Sequence, residues 1–146
     1  MMETAKIPIW TQRLTTFSKA LGRLSEVIEL SRQKPLNEFE RDSLIKRFEF
    51  SYEMAWKLMM SFEKATGVSQ VLGSRDVIRH AVSIGLIDNG EAWMEMVDTR
   101  NQTSHLYDEE MAANVTDTIV YNYHPLFMEL QEKLERQRNL ETICTD

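Results

Sequence analysis

Arg100, His105 and Tyr107 are the residues of this chain whose types and spacing could carry out chemistry. The guanidinium of an arginine neutralises a phosphate with a planar fork of donors, and a histidine moves a proton near neutral pH. Tyr107 adds a phenolic hydroxyl within the same eight-residue stretch. Together these groups predict metal-free attack on a phosphodiester, with Arg100 and His105 as the candidate catalytic residues.

The same spacing is compatible with a structural role for the three residues. Arg100 could cap helix carbonyls, His105 could hydrogen-bond a neighbouring backbone, and Tyr107 could fold onto the core. On a continuous α-helix Arg100 and His105 would point about 140° apart, so they converge only if the helix ends between them. Residues 101–104 are mediocre helix formers, which places Arg100 in a last helical turn and His105 with Tyr107 at a corner.

Apolar residues repeat at alternating steps of three and four in three long segments, which is the spacing of an amphipathic helix. The first segment precedes Pro35, the second ends at Gly67, and the third contains Pro125, which we expect to kink or break that helix. No segment has sustained period-two alternation. The three stripes are Trp10, Leu14, Phe17, Leu21, Leu24 and Ile28; Ile45, Phe48, Tyr52, Ala55, Met59 and Phe62; and Met111, Val115, Ile119, Tyr123, Phe127, Leu130 and Leu134.

Two shorter helices are predicted between the second and third stripes, and the latter of them carries Arg100. Ser74 and Asp88 are candidate N-caps of these helices, Gly85 ends the first, and Asp108 caps the last long helix. The fold class predicted is all-α, an antiparallel up-and-down four-helix-type bundle of about five helices. Large side chains are interpreted as its core, above all Trp10, Phe48, Trp56, Met59 and Trp93.

The chain has 146 residues, a formal net charge of −6, and 42% hydrophobic and 27% charged residues. This composition predicts one domain over residues 1–146, with a core over roughly 10–135 and frayed ends. The acidic balance argues against a general nucleic-acid coat protein but allows a small basic pocket. The sequence has no membrane span or secretory signal and a single cysteine, Cys144, so we expect a cytoplasmic protein without disulfides.

Other motifs offer no catalytic alternative. Residues 73–76 lack the glycine count of a phosphate-binding loop, and no carboxylate pair follows at the spacing that metal-dependent nucleotidyl transfer needs. His, Cys, Asp and Glu show no zinc spacing, so neither a metal nor a cofactor is expected. We therefore do not expect the chain itself to be a nucleotidyltransferase.

Several blocks of the sequence resemble a known family. Arg100-x4-His105-x-Tyr107 is similar to the signature of HEPN domains, small helical bundles with an Arg-x4–6-His site. Residues 46–57, 74–79 and 85–88 resemble the nucleotidyltransferase substrate-binding proteins, a HEPN branch encoded beside a minimal nucleotidyltransferase. The resemblance covers approximately residues 10–135, and it implies a bundle that forms a homodimer and binds the separate transferase as its partner.

The resemblance also implies a function in a toxin–antitoxin pair, where a metal-independent HEPN ribonuclease is silenced by its partner, which adds AMP to the motif tyrosine. Arg100 would then stabilise charge in the transition state, and His105 would be the general acid or base while an RNA 2′-OH attacks the adjacent phosphate. AMP on Tyr107 would exclude RNA by charge and volume. A twofold dimer would join two sites in one cleft, and the candidates to line it are Asn101, Arg75 and Arg79.

Two other interpretations stay open at this point. The chain could be a non-catalytic subunit that presents a nucleotide or another substrate to the transferase. It could also be a helical interaction domain that serves only as a dimerisation platform. Under either interpretation Arg75 and Arg79 would be surface ion-pair residues.

Overall fold

The computed structural model describes residues 7–68, 70–105 and 108–144. Over these ranges the chain forms six α-helices, one 3-10 turn and one π turn, and it has no β-strand. The all-α prediction is therefore confirmed. The elements are α1 Ile9–Gln33, α2 Glu38–Ala65, α3 Gly73–Ser83, α4 Gly90–Gln102, the 3-10 turn Thr103–His105, α5 Glu109–Thr118, the π turn Ile119–Tyr123 and α6 His124–Cys144.

The long helices run up and down. Trp10 at the start of α1 meets Phe62 near the end of α2 edge-on, with ring centroids 5.2 Å apart, so these two helices are antiparallel. α6 is antiparallel to α1 as well, because Phe17 contacts Phe127 whereas Ser25, further along α1, contacts the first residue of α6. α3 packs between α2 and α4. The result is a bundle in which α2 is the central helix.

The core is built from the predicted apolar stripes, except that Met111 is 47% exposed and Phe62 and Val115 are only partly buried. Phe48 of α2 stacks on Tyr123 with centroids 5.6 Å apart and also contacts Phe127, which Trp93 of α4 meets edge-on. Burying a side chain of this size stabilises the fold by roughly 1.5–3 kcal/mol. Four of the five large side chains predicted as core are buried, while Trp56 is partly buried and its indole nitrogen donates to a glutamate of its own helix.

The predicted cap of α3 is wrong. α3 begins at Gly73, one residue before Ser74, and its N-cap is Leu72. Gly73 takes a φ of 84°, a conformation that favours glycine. The side chain of Asp76, one turn into the helix, accepts the backbone N–H of Leu72 at 2.9 Å. The side-chain hydrogen bond at the start of α3 therefore comes from the carboxylate of Asp76 and not from the hydroxyl of Ser74.

The predicted cap of α4 is shifted by one residue. Asn89, not Asp88, accepts a backbone N–H of the first turn at 3.1 Å. Asp88 instead forms a 3.4 Å ion pair with Lys133 of α6. Asp108 caps α5 as predicted, and Gly85 ends α3 with a φ of 76°.

The π turn resolves the problem that Pro125 creates inside the last helix. Proline has no N–H to donate, and its ring crowds the carbonyl four residues earlier. In the π turn the N–H of His124 reaches back five residues to the carbonyl of Ile119, which widens the helix just before the proline. The predicted interruption is therefore confirmed: it divides the segment into α5 and α6 and leaves Ile119 and Tyr123 buried.

Candidate functional site

Arg100 lies in the last turn of α4 and contacts α2. One terminal nitrogen of its guanidinium lies 3.1 Å from a carboxylate oxygen of Glu49, and its Nε lies 3.9 Å from a carboxylate oxygen of Glu53. Glu49 and Glu53 are one turn apart on α2, so both carboxylates reach the same guanidinium. The Arg100 side chain keeps 29% of its surface exposed and its Nε is buried, so it is a partly buried cation held by two carboxylates.

Thr103 connects this ion pair to the turn that follows α4. Its hydroxyl is 2.6 Å from a carboxylate oxygen of Glu49 and 2.8 Å from the backbone oxygen of Arg100. Hydrogen bonds to charged groups contribute about 1.5–3 kcal/mol each. The Glu49 carboxylate therefore ties the C-terminal end of α4 to the middle of α2.

His105 closes the 3-10 turn and is exposed. α4 ends at Gln102, so the helix does end between Arg100 and His105, as the predicted corner requires. Leu106 and Tyr107 lie outside the described residues, and the assignment of Tyr107 as the modified residue stays a prediction. The roles of Arg100 and His105 likewise stay predictions that this geometry permits.

Arg75 of α3 and Arg100 of α4 both act on the phenol of Tyr52. Tyr52 is a buried residue of α2, and burial raises the pKa of its phenol. A hydrogen bond with Ser74 and the positive charges of Arg75 and Arg100 act in the opposite direction on that pKa. Both guanidiniums are thus within electrostatic reach of one phenol. Arg75 also forms a 2.7 Å ion pair with Asp98 of α4.

The two remaining cleft candidates lie on the surface. Asn101 follows Arg100 and is exposed. Arg79 is one turn beyond Arg75 on α3, and its guanidinium lies 3.9 Å from the carboxylate of Asp76 on the same helix. Exposed pairs of this kind contribute at most about 1 kcal/mol. The structure therefore leaves Asn101 exposed and gives Arg79 a partner on its own helix.

Tyr123 of the π turn fixes the part of α4 that carries Arg100. Its hydroxyl is 2.7 Å from that of Thr99 and donates to Glu95 at 3.2 Å. Burial raises the pKa of Tyr123 to about 12, so the phenol keeps its proton and remains a donor at neutral pH. Because Thr99 directly precedes Arg100, these bonds hold the last turn of α4 against the bundle.

The described residues contain no group of three or more His, Cys, Asp or Glu side chains that could hold a metal ion. His124 has a packing role, since its Nε2 is 2.8 Å from the hydroxyl of Ser25 and burial lowers the pKa of its ring. Within the same ranges no helix is both long enough and apolar enough to cross a bilayer.

Sequence reasoning did not single out Glu49, Glu53 or Thr103. The signal that could have found the two glutamates is their four-residue spacing, which places both on one side of a predicted helix. Thr103 lies inside the Arg-x4-His stretch itself. The sequence does not say which cation these acids meet, because that contact joins helices about fifty residues apart.

Residues 12–136 match the family model described as nucleotidyltransferase substrate binding protein like. A Haemophilus influenzae protein named probable ribonuclease HepT is 36% identical to the chain over 75 residues. That alignment covers 49% of this chain and 51% of the relative, so the chain matches about half the length of this curated protein.

Solved structures share the whole bundle. A Haemophilus influenzae structure, described as the fold of a substrate binding domain of a nucleotidyltransferase, has a TM-score of 0.75 and 26% identity over 84% of this chain and 98% of its own. A tri-AMPylated HEPN toxin of Shewanella oneidensis, solved with its MNT antitoxin, has a TM-score of 0.72 over 90% of this chain and 99% of its own. At 17% sequence identity, this structural match shows a common fold and nothing finer. Because the family model spans most of the chain, the protein belongs to the nucleotidyltransferase substrate-binding-protein-like family.

Proposed function

We propose that this chain is the ribonuclease of a toxin–antitoxin pair whose second member is a minimal nucleotidyltransferase. The observation that carries the proposal is the end of α4, where the partly exposed guanidinium of Arg100 and the exposed His105 flank the point at which the helix stops. The relative named probable ribonuclease HepT and the fold shared with a HEPN toxin bound to an MNT antitoxin support it.

In the proposed reaction an RNA 2′-oxygen attacks the adjacent phosphorus while the bond from phosphorus to the 5′-oxygen breaks. His105 accepts the proton of the 2′-OH, and the protonated His105 of a second copy gives a proton to the leaving 5′-oxygen. The products are a 2′,3′-cyclic phosphate and a 5′-OH. Arg100 neutralises the charge that develops on the non-bridging oxygens. A twofold dimer that joins two copies of the site would supply both histidines.

Glu49 and Glu53 have a positioning role in this scheme. One terminal nitrogen of the Arg100 guanidinium is engaged by Glu49 and Thr103 and its Nε is buried, so the other terminal nitrogen is the donor that would meet a phosphate. The two carboxylates restrict the rotamers of Arg100, so a smaller loss of side-chain freedom accompanies phosphate binding. They also reduce the net positive charge of the site, which makes RNA binding depend on further cations.

Tyr107 is the proposed point of control. Attack of its phenolic oxygen on the α-phosphorus of ATP would release pyrophosphate and leave one AMP on the tyrosine. The added phosphate is an anion placed two residues from His105. It would compete with RNA for the same cations and fill the space in front of them. The transferase partner would supply this reaction, since the chain lacks a metal-binding carboxylate set among its described residues.

The ion pairs of Arg100 and Arg75 favour a second candidate, a non-catalytic subunit that holds a substrate for the transferase. Both guanidiniums already have carboxylate partners, Glu49 and Asp98 respectively. In that case the purified chain would bind its partner or a nucleotide and would leave RNA intact.

The test is cleavage of a labelled RNA by the purified chain in excess EDTA. We expect Arg100→Ala and His105→Ala each to lower the rate by at least ~100-fold, the usual contribution of such groups. Arg136→Ala is the matched control, because Arg136 is an exposed α6 residue paired with Glu132. Cleavage that persists in both site variants would exclude the proposed mechanism, and an intact RNA with a stable transferase complex would favour the second candidate.

The control step has its own test. After co-expression with a minimal nucleotidyltransferase partner, the intact mass of the chain should increase by one or more AMP units in the presence of ATP. Tyr107→Phe should abolish the increase, whereas Tyr121→Phe, which removes an exposed phenol of the π turn, should not. An unchanged mass increase in Tyr107→Phe would assign the modification to another residue.

A further inference from the structure

A groove between α1 and α2 is not used by the proposed chemistry. It has a volume of about 350 Å³ and continues into a second hollow of about 370 Å³, because Arg23, Arg47 and Phe50 line both. We call the two together the α1–α2 groove. The cations that line it are Lys19, Arg23, Lys46 and Arg47.

The aromatic ring of Phe50 is the central apolar feature of the groove. Phe50 is 55% exposed, in contrast to Phe48 two residues earlier, which is fully buried. The Nζ of Lys46 lies 5.5 Å from the centroid of the Phe50 ring. An exposed phenyl ring beside ammonium and guanidinium groups offers a flat apolar surface and positive charge at the same place.

The groove carries an excess of positive charge on an acidic chain. One carboxylate, that of Glu26, lies among its lining residues, against four cations. Glu26 is 3.4 Å from Arg47, whose guanidinium also donates to the backbone oxygen of Arg23. Among the described residues, no carboxylate lies within 4.0 Å of the charged groups of Lys19 or Arg23. Two cations of the groove are thus left for an anionic ligand, although the chain as a whole has a charge of −6.

The groove adjoins the Arg100 site across a single ridge of α2. Lys46 lies over Phe50 and is 3.7 Å from one carboxylate oxygen of Glu49. The other oxygen of Glu49 is the one that binds Arg100. A chain of charged contacts therefore runs from the groove to the candidate catalytic arginine, over one turn of one helix.

We infer that the α1–α2 groove binds single-stranded RNA, with a base stacked on Phe50 and backbone phosphates paired with Arg23 and Lys19. Stacking on an aromatic side chain together with cationic contacts to the backbone is how single strands are held without sequence preference. An acidic peptide would use the charges but not the ring face. A second copy docked on this groove by a twofold axis would set the cation cluster against itself.

The inference rests on the proposed function only for the direction of the strand, which would cross the Glu49 ridge to reach Arg100 and His105. Binding in the groove does not require cleavage. The test therefore uses anisotropy of a fluorescent single-stranded oligonucleotide without 2′-hydroxyls, in EDTA, with the full chain. Its parallel arm uses the corresponding RNA with the His105→Ala chain.

We expect Phe50→Ala to weaken binding by about 5- to 100-fold, the range of one lost base–aromatic stack. Phe50→Trp should retain affinity, and Arg23→Glu should weaken binding and flatten its salt dependence. Phe39→Ala is the matched control, since Phe39 is an exposed aromatic of the same helix outside the groove lining, and it should bind like the wild type.

Equal affinity of Phe50→Ala and Phe39→Ala, or the absence of binding by the wild type, would overturn the inference. So would a change from dimer to monomer in Phe50→Ala, because it would identify the groove as an interface between copies. If the chain binds RNA but never cleaves it, the RNA-binding groove stands and the proposed nuclease is excluded. If RNA is cleaved at the same rate by the wild type, Phe50→Ala and Arg23→Glu, the nuclease stands and the groove is excluded as its RNA-binding site.

Discussion

Glu49 and Glu63 are both largely buried carboxylates of α2, and they have opposite environments. Glu49 accepts from the guanidinium of Arg100 and lies within hydrogen-bond distance of Thr103. Neither carboxylate oxygen of Glu63 has a hydrogen-bond partner among the described residues, and the side chain is fully buried. Burial raises the pKa of Glu63 to about 8, and the negative charge of Asp76 acts in the same direction.

The difference between Glu49 and Glu63 shows that the middle and the end of α2 have different roles. In the middle of the helix a carboxylate is compensated, and the compensation positions a candidate catalytic arginine. Near its end a carboxylate is buried without compensation, where the carbonyl of Glu63 accepts the N–H groups that turn the chain towards α3. A buried polar group without a partner costs about 1–3 kcal/mol. The side chain of Glu63 therefore destabilises the fold near the connection from α2 to α3, and it has no part in the candidate site.

The largest effect is expected at Glu63. Its pKa in the folded state, about 8, lies above the ordinary value of 4.5, so the folded chain holds a proton that the unfolded chain has lost between these pH values. The free energy of unfolding should therefore fall as pH rises through this window, by up to about 1.4 kcal/mol per pH unit. Glu63→Met should remove this slope and stabilise the chain at pH 8.

Urea unfolding of the wild type and of Glu63→Met at pH 5, 6, 7 and 8 measures the effect as a difference, which cancels groups that both proteins share. Glu63→Gln is the matched control, because it cannot titrate yet keeps a polar group in the same site. A difference between wild type and Glu63→Met that does not change with pH would contradict the assigned ionisation.

The next effect is expected at Arg100. Arg100→Ala should lower the free energy of unfolding by about 1–3 kcal/mol, because it leaves the partly buried Glu49 without its cation. Glu49→Gln in the same chain should recover part of that loss without restoring RNA cleavage. This double-mutant cycle is measured by urea unfolding and by the cleavage assay. Recovery of both stability and cleavage would show that Arg100 only balances the charge of Glu49.

The smallest effect is expected at Glu40, another glutamate of α2. Hydrogen bonding to the backbone of Asn37 and to Lys34 lowers the pKa of Glu40, so its contribution is present at neutral pH and is lost as pH falls through the folded pKa. Because Glu40 is near the surface, Glu40→Gln should lower the melting temperature less than Arg100→Ala at pH 7. A larger loss would show that the capping box at Asn37 contributes more than the Arg100 cluster.

The stripes and helix ends of this fold follow from local rules, which explains what the sequence could predict. The stripe residues of α1, from Trp10 to Ile28, are buried along one side because a helix repeats every 3.6 residues. Gly67, with a φ of 108°, ends α2 because glycine adopts that conformation without strain. The start of α3 was predicted wrongly because Ser74 and Asp76 are both residue types that bond to the backbone at helix starts. The sequence pattern does not show that Asp76, through Leu72, is the one that does so.

The candidate site was predictable only in part, because its residues come from separate helices. Arg100 and His105 are close in sequence, and the helix end between them follows from the composition of residues 101–104. The acids that hold Arg100 and the ion pair of Arg75 with Asp98 depend on how α2, α3 and α4 pack together. Phe50 lies outside the predicted apolar stripe of α2, but only the packing of α1 against α2 shows that its exposed ring lies beside a cluster of cations.

The π turn sets which face of α6 meets the bundle. If the same five residues formed a regular α-helix, everything after them would rotate by about 100° about the helix axis. Phe127 would then leave Phe17 and Trp93, and Tyr123 would no longer reach Thr99. A change of helix type about twenty residues downstream of Arg100 would in this way misplace the arginine without altering any residue that touches it.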